Sequence, residues 1–336
     1  MLKISVVTPS FNQGKFLEET ILSVMNQNYP LFELFIIDGG STDNSFDIIK
    51  KYEHKLSGWV SEKDNGQSDA INKGFKMCTG DIVSWLCSDD LYLPGALLKV
   101  NETFSSLPES VGVIHGNSEI FRDNKIIHYE KGYNQWSIER QLAGMTFPQP
   151  SSFIRRSSLN KVGFLNPSLH YGMDYDLFAR LCMICDFKYI DVFLSKYRLH
   201  NESKSTIATS KFLDEWILIF NSIVTGLNKE KILEVLIENN TSVLPDENIN
   251  KFFSGLTLLK KIDYEKMLYY FLINVVRYDY ASANFKRVER IGNYLSDHFG
   301  SSLDLEPSVN KIIQRARFLP RPFILAARKL KRTFLK

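Results

Sequence analysis

From Ile4 to Leu86 the chain alternates short β-rich runs with helical patterns, and this alternation constrains the fold more than any other feature. Ile4-Ser5-Val6-Val7 reads as a buried strand. Phe16 to Gln27 then carries Leu17, Ile21, Val24 and Met25 at helical spacing. Leu34 to Ile37 is a second strand, Ser45 to Tyr52 a second helix, Trp59 to Ser61 a short third strand, and Gln67 to Cys78 a third helix. Ile82 to Leu86 is a fourth strand. A βαβαβαβ order predicts an α/β fold with a mostly parallel sheet and helices on both faces. In open sheets of this kind, ligands bind beyond the carboxyl ends of the strands. Three polar clusters fall at such ends: Thr8 to Gly14, Asp38 to Asp43, and Ser88-Asp89-Asp90.

The pattern changes from about Val111. Val113 to Gly116 and Lys125 to Tyr129 read as further strands. FPQPSSFIRRSSL, Phe147 to Leu159, contains a loop rich in Pro and Ser. Met173 to Cys185 is a helix opening with Asp174 and Asp176, and Lys196 to His200 is a late strand. After about Thr206 the chain reads as helical throughout: Phe212 to Leu227, Lys229 to Asn239, Tyr264 to Arg277, Ala283 to His298. The expected division is therefore 1–205 and 206–336, which a chain of 336 residues accommodates.

Composition narrows the function classes. The net charge of +3 is too small to imply nucleic acid. The four cysteines, at 78, 87, 182 and 185, fit no disulfide scaffold. Cys182 and Cys185 form a CxxC in an apolar helical pattern with no second pair, which points to packing rather than zinc or redox chemistry. The N-terminus carries no signal-peptide h-region, and no apolar run reaches the roughly 18 residues that span a bilayer. A cytoplasmic location is expected. From Lys311 to Lys336 there are many basic residues and no acid. There Phe323, Ala326, Ala327, Leu330 and Phe334 share one face of a helical projection, and Lys and Arg occupy much of the rest. Such a helix either packs on its own domain or lies in an anionic membrane interface, placing the protein at the inner face of the membrane.

Three stretches carry chemistry. WLCSDDLYLP, Trp85 to Pro94, ends an apolar run in two adjacent carboxylates with more apolar residues behind them. Neighbouring Asp side chains repel, and near buried surface at least one resists ionising. Either an Asp caps the following helix, or the pair holds a hard cation such as Mg²⁺ or Mn²⁺. The position at the ligand edge favours the cation, which there neutralises a departing diphosphate. In IIDGGSTDNS, Asp43 or Ser45 caps the next helix. Asp38 offers an acceptor to a nucleobase N–H or a ribose hydroxyl, and the glycines let a ligand approach the backbone. NGQSDAINKGF puts Gln67, Ser68 and Asp69 at a helix entrance, as caps or beside a phosphate at its positive end.

Taken in order, VVTPSFN, IIDGGSTD, NGQSDAINKG, WLCSDD and GMDYDLFARL resemble the family 2 glycosyltransferases, whose GT-A fold is a Rossmann-like, mostly parallel sheet. The resemblance covers about residues 3 to 200, and QPSSFIRR and YRLHNESKS point to the bacterial surface-polysaccharide branch. It implies inverting transfer from a UDP- or dTDP-sugar to a glycan acceptor carried on lipid. By position, Thr8, Pro9, Ser10, Phe11, Asn12 and Asp38 would line the nucleobase and ribose. Asp69 would lie near the ribose or diphosphate, beside Gln67. Ser88-Asp89-Asp90 takes the place of the DxD-type metal motif, with Asp89 near ribose and metal and Asp90 the principal ligand to Mn²⁺ or Mg²⁺. Asp174 matches the catalytic base, a role in which apolar neighbours such as Tyr171, Met173 and Phe178 raise a carboxylate toward neutrality. Asp176 is the rival base, and a helix cap the bland reading of Asp174.

The chain also departs from the family pattern. Gly39 stands where many relatives have a carboxylate or Asn, Cys87 where many have Asp, and Met173 where Glu is common. An Arg common near Ile71 is absent, which leaves Lys73 or the metal to hold the diphosphate. His200 is either structural or a contact to metal or diphosphate. Trp85, Tyr92, Trp136 and His115 read as core or wall, and one of Arg155 and Arg156 as an acceptor or diphosphate contact. Two rivals stand beside the enzyme. One is a catalytically silent sugar-nucleotide-binding subunit of a polysaccharide assembly. The other is a nucleotidyltransferase, for which TPSFNQGKF lacks a Gly-rich basic phosphate loop.

Overall fold

The computed structural model describes residues 1–132, 136–204, 209–243, 249–250, 253, 261–300 and 306–318. The helix expected around Phe323 to Phe334 lies outside the described residues. In the first half, β1 (Ile4–Ser10), β2 (Phe32–Asp38), β3 (Gly58–Ser61) and β4 (Ile82–Trp85) run parallel, in the order β3-β2-β1-β4. Their connections are the helices α1 (Gly14–Met25), α2 (Ser45–Tyr52) and α3 (Gln67–Met77), as the alternation predicts.

The second half extends the sheet with mixed pairing. β5 (Leu91–Tyr92) leads into α4 (Ala96–Ser106), and β6 (Val111–Arg122) turns into β7 (Lys125–Glu130). Asp123 and Asn124 both take positive φ there, the geometry of a tight hairpin. After α5 (Ile138–Leu142) come β8 (Ser152–Arg155), α6 (Arg156–Val162), α7 (Met173–Ile184) and β9 (Asp186–Arg198). β8 lies between β4 and β6, antiparallel to both, and β9 pairs parallel with β6 and antiparallel with β5. The segment read as a Pro- and Ser-rich loop thus contains a buried central strand. Pro148 and Pro150 precede it in a short 3₁₀ turn, and only Ser152–Arg155 remain free to join the ladders.

The helices that follow are α8 (Thr209–Gly226), α9 (Glu230–Glu238), α10 (Tyr264–Ser282), α11 (Phe285–Phe299) and α12 (Pro307–Phe318). Strand alternation divides the core in two. Ile4, Val6, Leu34 and Ile36 face α1, α2 and α4, whereas Val7, Phe35, Ile37, Val83 and Trp85 face the other way. That second core is continuous from α3 through α7 to the helical region, joining Trp85 and Phe178 to Trp216, Phe220 and Phe271. Cys182 and Cys185 lie buried on α7, each thiol donating to a carbonyl of its own helix. His115 is buried and stacked on Phe147, and burial alone lowers its pKa to about 3.

Candidate active site

The carboxyl ends of β1, β2 and β4 open onto a cavity of about 1120 Å³. Its floor comes from the sheet edge, through Pro9, Phe11, Ser88, Asp89 and Asp90. Gln67 contributes from the start of α3 and Asp174 from the start of α7. The opposite wall belongs to the helical region, through Phe212, Trp216, Tyr270 and Tyr278.

The acidic turn is held from two sides. On α1, Thr20 places its hydroxyl 2.9 Å from the carbonyls of both Ser88 and Asp90. At the end of β9, the Arg198 N–H donates to Asp90 Oδ1 at 2.9 Å, and its Nε donates to the Asp89 carbonyl at 2.8 Å. The guanidinium also pairs with Glu19. Asp90 is 1% exposed. Burial, followed by the neighbouring Asp89, pushes its pKa well above the ordinary carboxylate value. His200 Nε2 lies 3.0 Å from Asp89 Oδ2. Ligand atoms of Cys87, Asp89 and Asp90 all lie within 4.8 Å of one another. Such a crowded, buried acidic turn is relieved by a cation. The carboxylates suit Mg²⁺ or Mn²⁺, and the thiol is too soft to be a main ligand for either. Burial also raises the Cys87 thiol well above its ordinary pKa, so it stays protonated.

Asp174 and Asp176 have different surroundings. Asp176 is buried and paired with Arg180 at 2.7 Å. The same guanidinium donates to the carbonyls of Val162 and Phe164, which ties α7 to the loop after α6. Asp176 does not line the cavity, so the rival base is a structural ion pair. Asp174 does line it, and burial pushes its pKa up to about 6, against the lowering effect of the Tyr175 N–H that it accepts.

Pro9, Ser10, Phe11, Gln67, Ser88, Asp89, Asp90, Asp174 and His200, all singled out in the sequence, share this cavity wall. Five others are placed elsewhere. Thr8 is fully buried within β1. Asn12 accepts from the Thr42 N–H at 2.9 Å and joins the first two turns. Asp38 is fully buried and accepts from the N–H groups of Gly40 and Ser41 and from the Ser61 hydroxyl, so it shapes the Gly39 turn from behind. Asp69 accepts the Asn65 N–H at 3.0 Å as a cap. Lys73 pairs with Glu62 at 2.8 Å and does not line the cavity.

The expectation for Arg155 and Arg156 is corrected. β8 runs antiparallel to β4, so its last residue lies beside Ile82, at the end of the sheet remote from the cavity. Arg155 there donates to the carbonyls of Val111 and Phe104, and Arg156 to that of Gly80.

Three features escaped the sequence reading. A Cβ on Gly39 would lie 2.6 Å from Asp64 Oδ2, so the Asp64 carboxylate fills the space beside Gly39 and itself lines the cavity. Lys204 spans the mouth, donating to Gln67 Oε1 at 2.8 Å and to the His170 carbonyl at 3.1 Å. The aromatic wall of α8 and α10 was unreadable because Trp216 and Tyr278 follow the same helical spacing as core residues. They pack with ring centroids 5.2 Å apart.

An acidic turn at a parallel sheet edge and a buried carboxylate thus share one cavity, in a fold of the GT-A kind. Residues 5–163 match the family model described as Glycosyl transferase family 2. An uncharacterized glycosyltransferase of Rickettsia typhi is 25% identical over 240 residues, covering 69% of this chain and 74% of that protein. The Escherichia coli chondroitin synthase is 28% identical over 207 residues, covering 60% of this chain and 30% of the synthase. Among solved structures, S. aureus TarS in complex with UDP superposes with a TM-score of 0.54 at 17% identity, covering 94% of this chain and 91% of that one. A mannosyltransferase from Pyrobaculum calidifontis, in complex with GDP-Man and Mn²⁺, gives 0.53 at 14% identity, covering 98% and 87%. No helix among the described residues is long and apolar enough to cross a membrane.

Proposed function

We propose that the chain transfers a sugar, with inversion, from a UDP- or dTDP-sugar to a lipid-linked glycan acceptor in surface polysaccharide synthesis. The observation that carries this reading is the shared cavity. Asp174, whose pKa burial raises to about 6, lines it together with the Ser88-Asp89-Asp90 turn. The relatives support the substrate class. TarS structures contain UDP and UDP-GlcNAc, the mannosyltransferase structure contains GDP-Man and Mn²⁺, and the E. coli relative is a chondroitin synthase.

Each residue has a task. Pro9, Phe11 and Asp64 border the nucleobase end, with Thr8, Asn12 and Asp38 shaping the turns behind it. Gln67 and Lys204 stand at the diphosphate, with Asp69 and Lys73 supporting the helix that carries Gln67. Asp90 and Asp89, with His200 beside them, would hold Mn²⁺ or Mg²⁺, whose charge offsets that of the departing diphosphate. Asp174 accepts the proton of the acceptor hydroxyl as that oxygen attacks the anomeric carbon from the face opposite the diphosphate. A silent binding subunit has no use for a carboxylate poised in this way, which speaks against that rival.

The proposed organisation is a transferase domain at 1–205 and a helical region at 206–336. The basic segment from Phe323 to Lys336 is its contact with an anionic membrane at the cytoplasmic face. Truncation after Pro320 is expected to abolish co-sedimentation with anionic liposomes at low salt, and equal pelleting of both forms contradicts the anchor.

The test of the activity is release of nucleoside diphosphate from a panel of nucleotide sugars. Turnover with at least one UDP- or dTDP-sugar is expected, together with its loss in chelator and in Asp90→Ala. Undiminished turnover in Asp90→Ala, or in chelator, contradicts the assignment of the acidic turn.

A further inference from the structure

Glu215 stands on α8, yet its carboxylate serves the loop that leads into α7. Oε2 accepts from the backbone N–H of Tyr171 at 2.7 Å and of Gly172 at 2.6 Å. The N–H of His170 lies 3.0 Å from Oε1 and 3.1 Å from Oε2. These amides immediately precede Met173, the first residue of α7, where donors lack partners within the helix. The approach is close. A Cβ on Gly172 would lie 2.7 Å from Ile219 Cδ1 and 3.4 Å from Glu215 Cβ, so α8 packs closely against this loop. Tyr171 is braced in turn by the edge of Phe212, with ring centroids 5.3 Å apart. Glu215 is absent from the cavity wall, so it acts on the loop rather than on a ligand.

We propose that Glu215 is a positioning residue, through which the helical region orders residues 170–172 and presents Asp174 to the acceptor hydroxyl. The proposal rests on the reading of Asp174 as the base. One carboxylate organises three consecutive amides, and the residue two places on from the last of them is Asp174. The charge matters as well as the shape. Glu215 adds to burial in raising the proton affinity of Asp174, while Lys204 and the Tyr175 N–H oppose it. The other titratable groups facing Asp174 are Cys87, beyond β4, and Tyr278 on α10. Burial holds both above their ordinary pKa values, so they stay neutral near pH 7.

The test compares the full-length wild type with Glu215→Gln, Glu215→Ala and Asp174→Asn. The readouts are turnover against pH and the KM of the donor. Glu215→Gln keeps an acceptor oxygen for the loop and removes the charge. It should leave the donor KM unchanged and move the acid limb of the profile to lower pH, because Asp174 then loses its proton more readily. Glu215→Ala leaves the three amides without their partner. It should lower kcat by about tenfold or more at every pH with the donor KM unchanged. If Glu215→Ala fails to fold, Glu215→Gln carries the test alone. An unmoved acid limb in Glu215→Gln, with Asp174→Asn inactive, overturns the role of Glu215 and leaves the base standing. Wild-type turnover in Asp174→Asn overturns the base, and the role of Glu215 with it.

Discussion

Asp174 and Asp176 stand two residues apart on α7 and receive opposite treatment. Asp176 is fully buried, but Arg180 lies against it and opposes the rise that burial causes. Asp174 has no such partner among the described residues, and its pKa of about 6 is set mainly by burial. That rise is linked to stability. The folded state holds a proton on Asp174 between the ordinary carboxylate value and about pH 6 that the unfolded chain has released. The stability linked to this proton is full below the ordinary value and is lost as pH rises through about 6. Asp174→Asn should therefore raise the unfolding free energy at pH 7 by up to roughly 3 kcal/mol, and by little near pH 4. Thermal unfolding at the two pH values checks this, and an equal effect at both contradicts the buried carboxylate. The same logic marks the limit of the sequence. It puts Asp174 and Asp176 in one helical turn, but only the packed Arg180 shows which of them is neutralised. Asp38 is a second instance. Its place at the end of β2 was legible, whereas the Ser61 hydroxyl that occupies its carboxylate comes from a different strand.

At the scale of elements, α3 shows how packing positions the site. It crosses β1 at Gly74, where a Cβ would lie 2.8 Å from Val7 Cγ2 and closer still to Cγ1. Because Val7 is buried in the middle of the sheet, it cannot give way. Gly74→Ala should destabilise the protein by about 1–3 kcal/mol, and it should weaken donor binding because Gln67 rides on the displaced helix. Chemical denaturation and nucleotide titration check the two effects, and an unchanged denaturation midpoint contradicts the tight crossing. The parallel half of the sheet was legible because each strand there is a short apolar run between turn residues. The other half was not. β9 is only partly buried along most of its length and shows no clean alternation. The strand signal of β8 is masked by the two prolines before it. That missed strand also carries Arg155 and Arg156 to the end of the sheet remote from the cavity.

Taken whole, one of the two cores runs unbroken from the sheet into the helical region, and the cavity lies between the sheet edge and that region. Phe220 on α8 stacks on Phe271 on α10 with centroids 3.7 Å apart, and the same cluster reaches Trp85 on β4. The helical region therefore forms a wall of the site as well as an appendage to it. Sequence periodicity showed these helices but not the cavity face of Trp216 and Tyr278, since burial in a core and exposure to a ligand pocket use the same spacing. Asp174 and the acidic turn line the same cavity, and the proposed mechanism is a single displacement with the base and the leaving group on opposite faces of the sugar. The most direct measurement is the anomeric configuration of the product, read by NMR with whichever donor the chain accepts. The account predicts inversion, an α-linked donor giving a β-linked product. Retention of the donor configuration would contradict it.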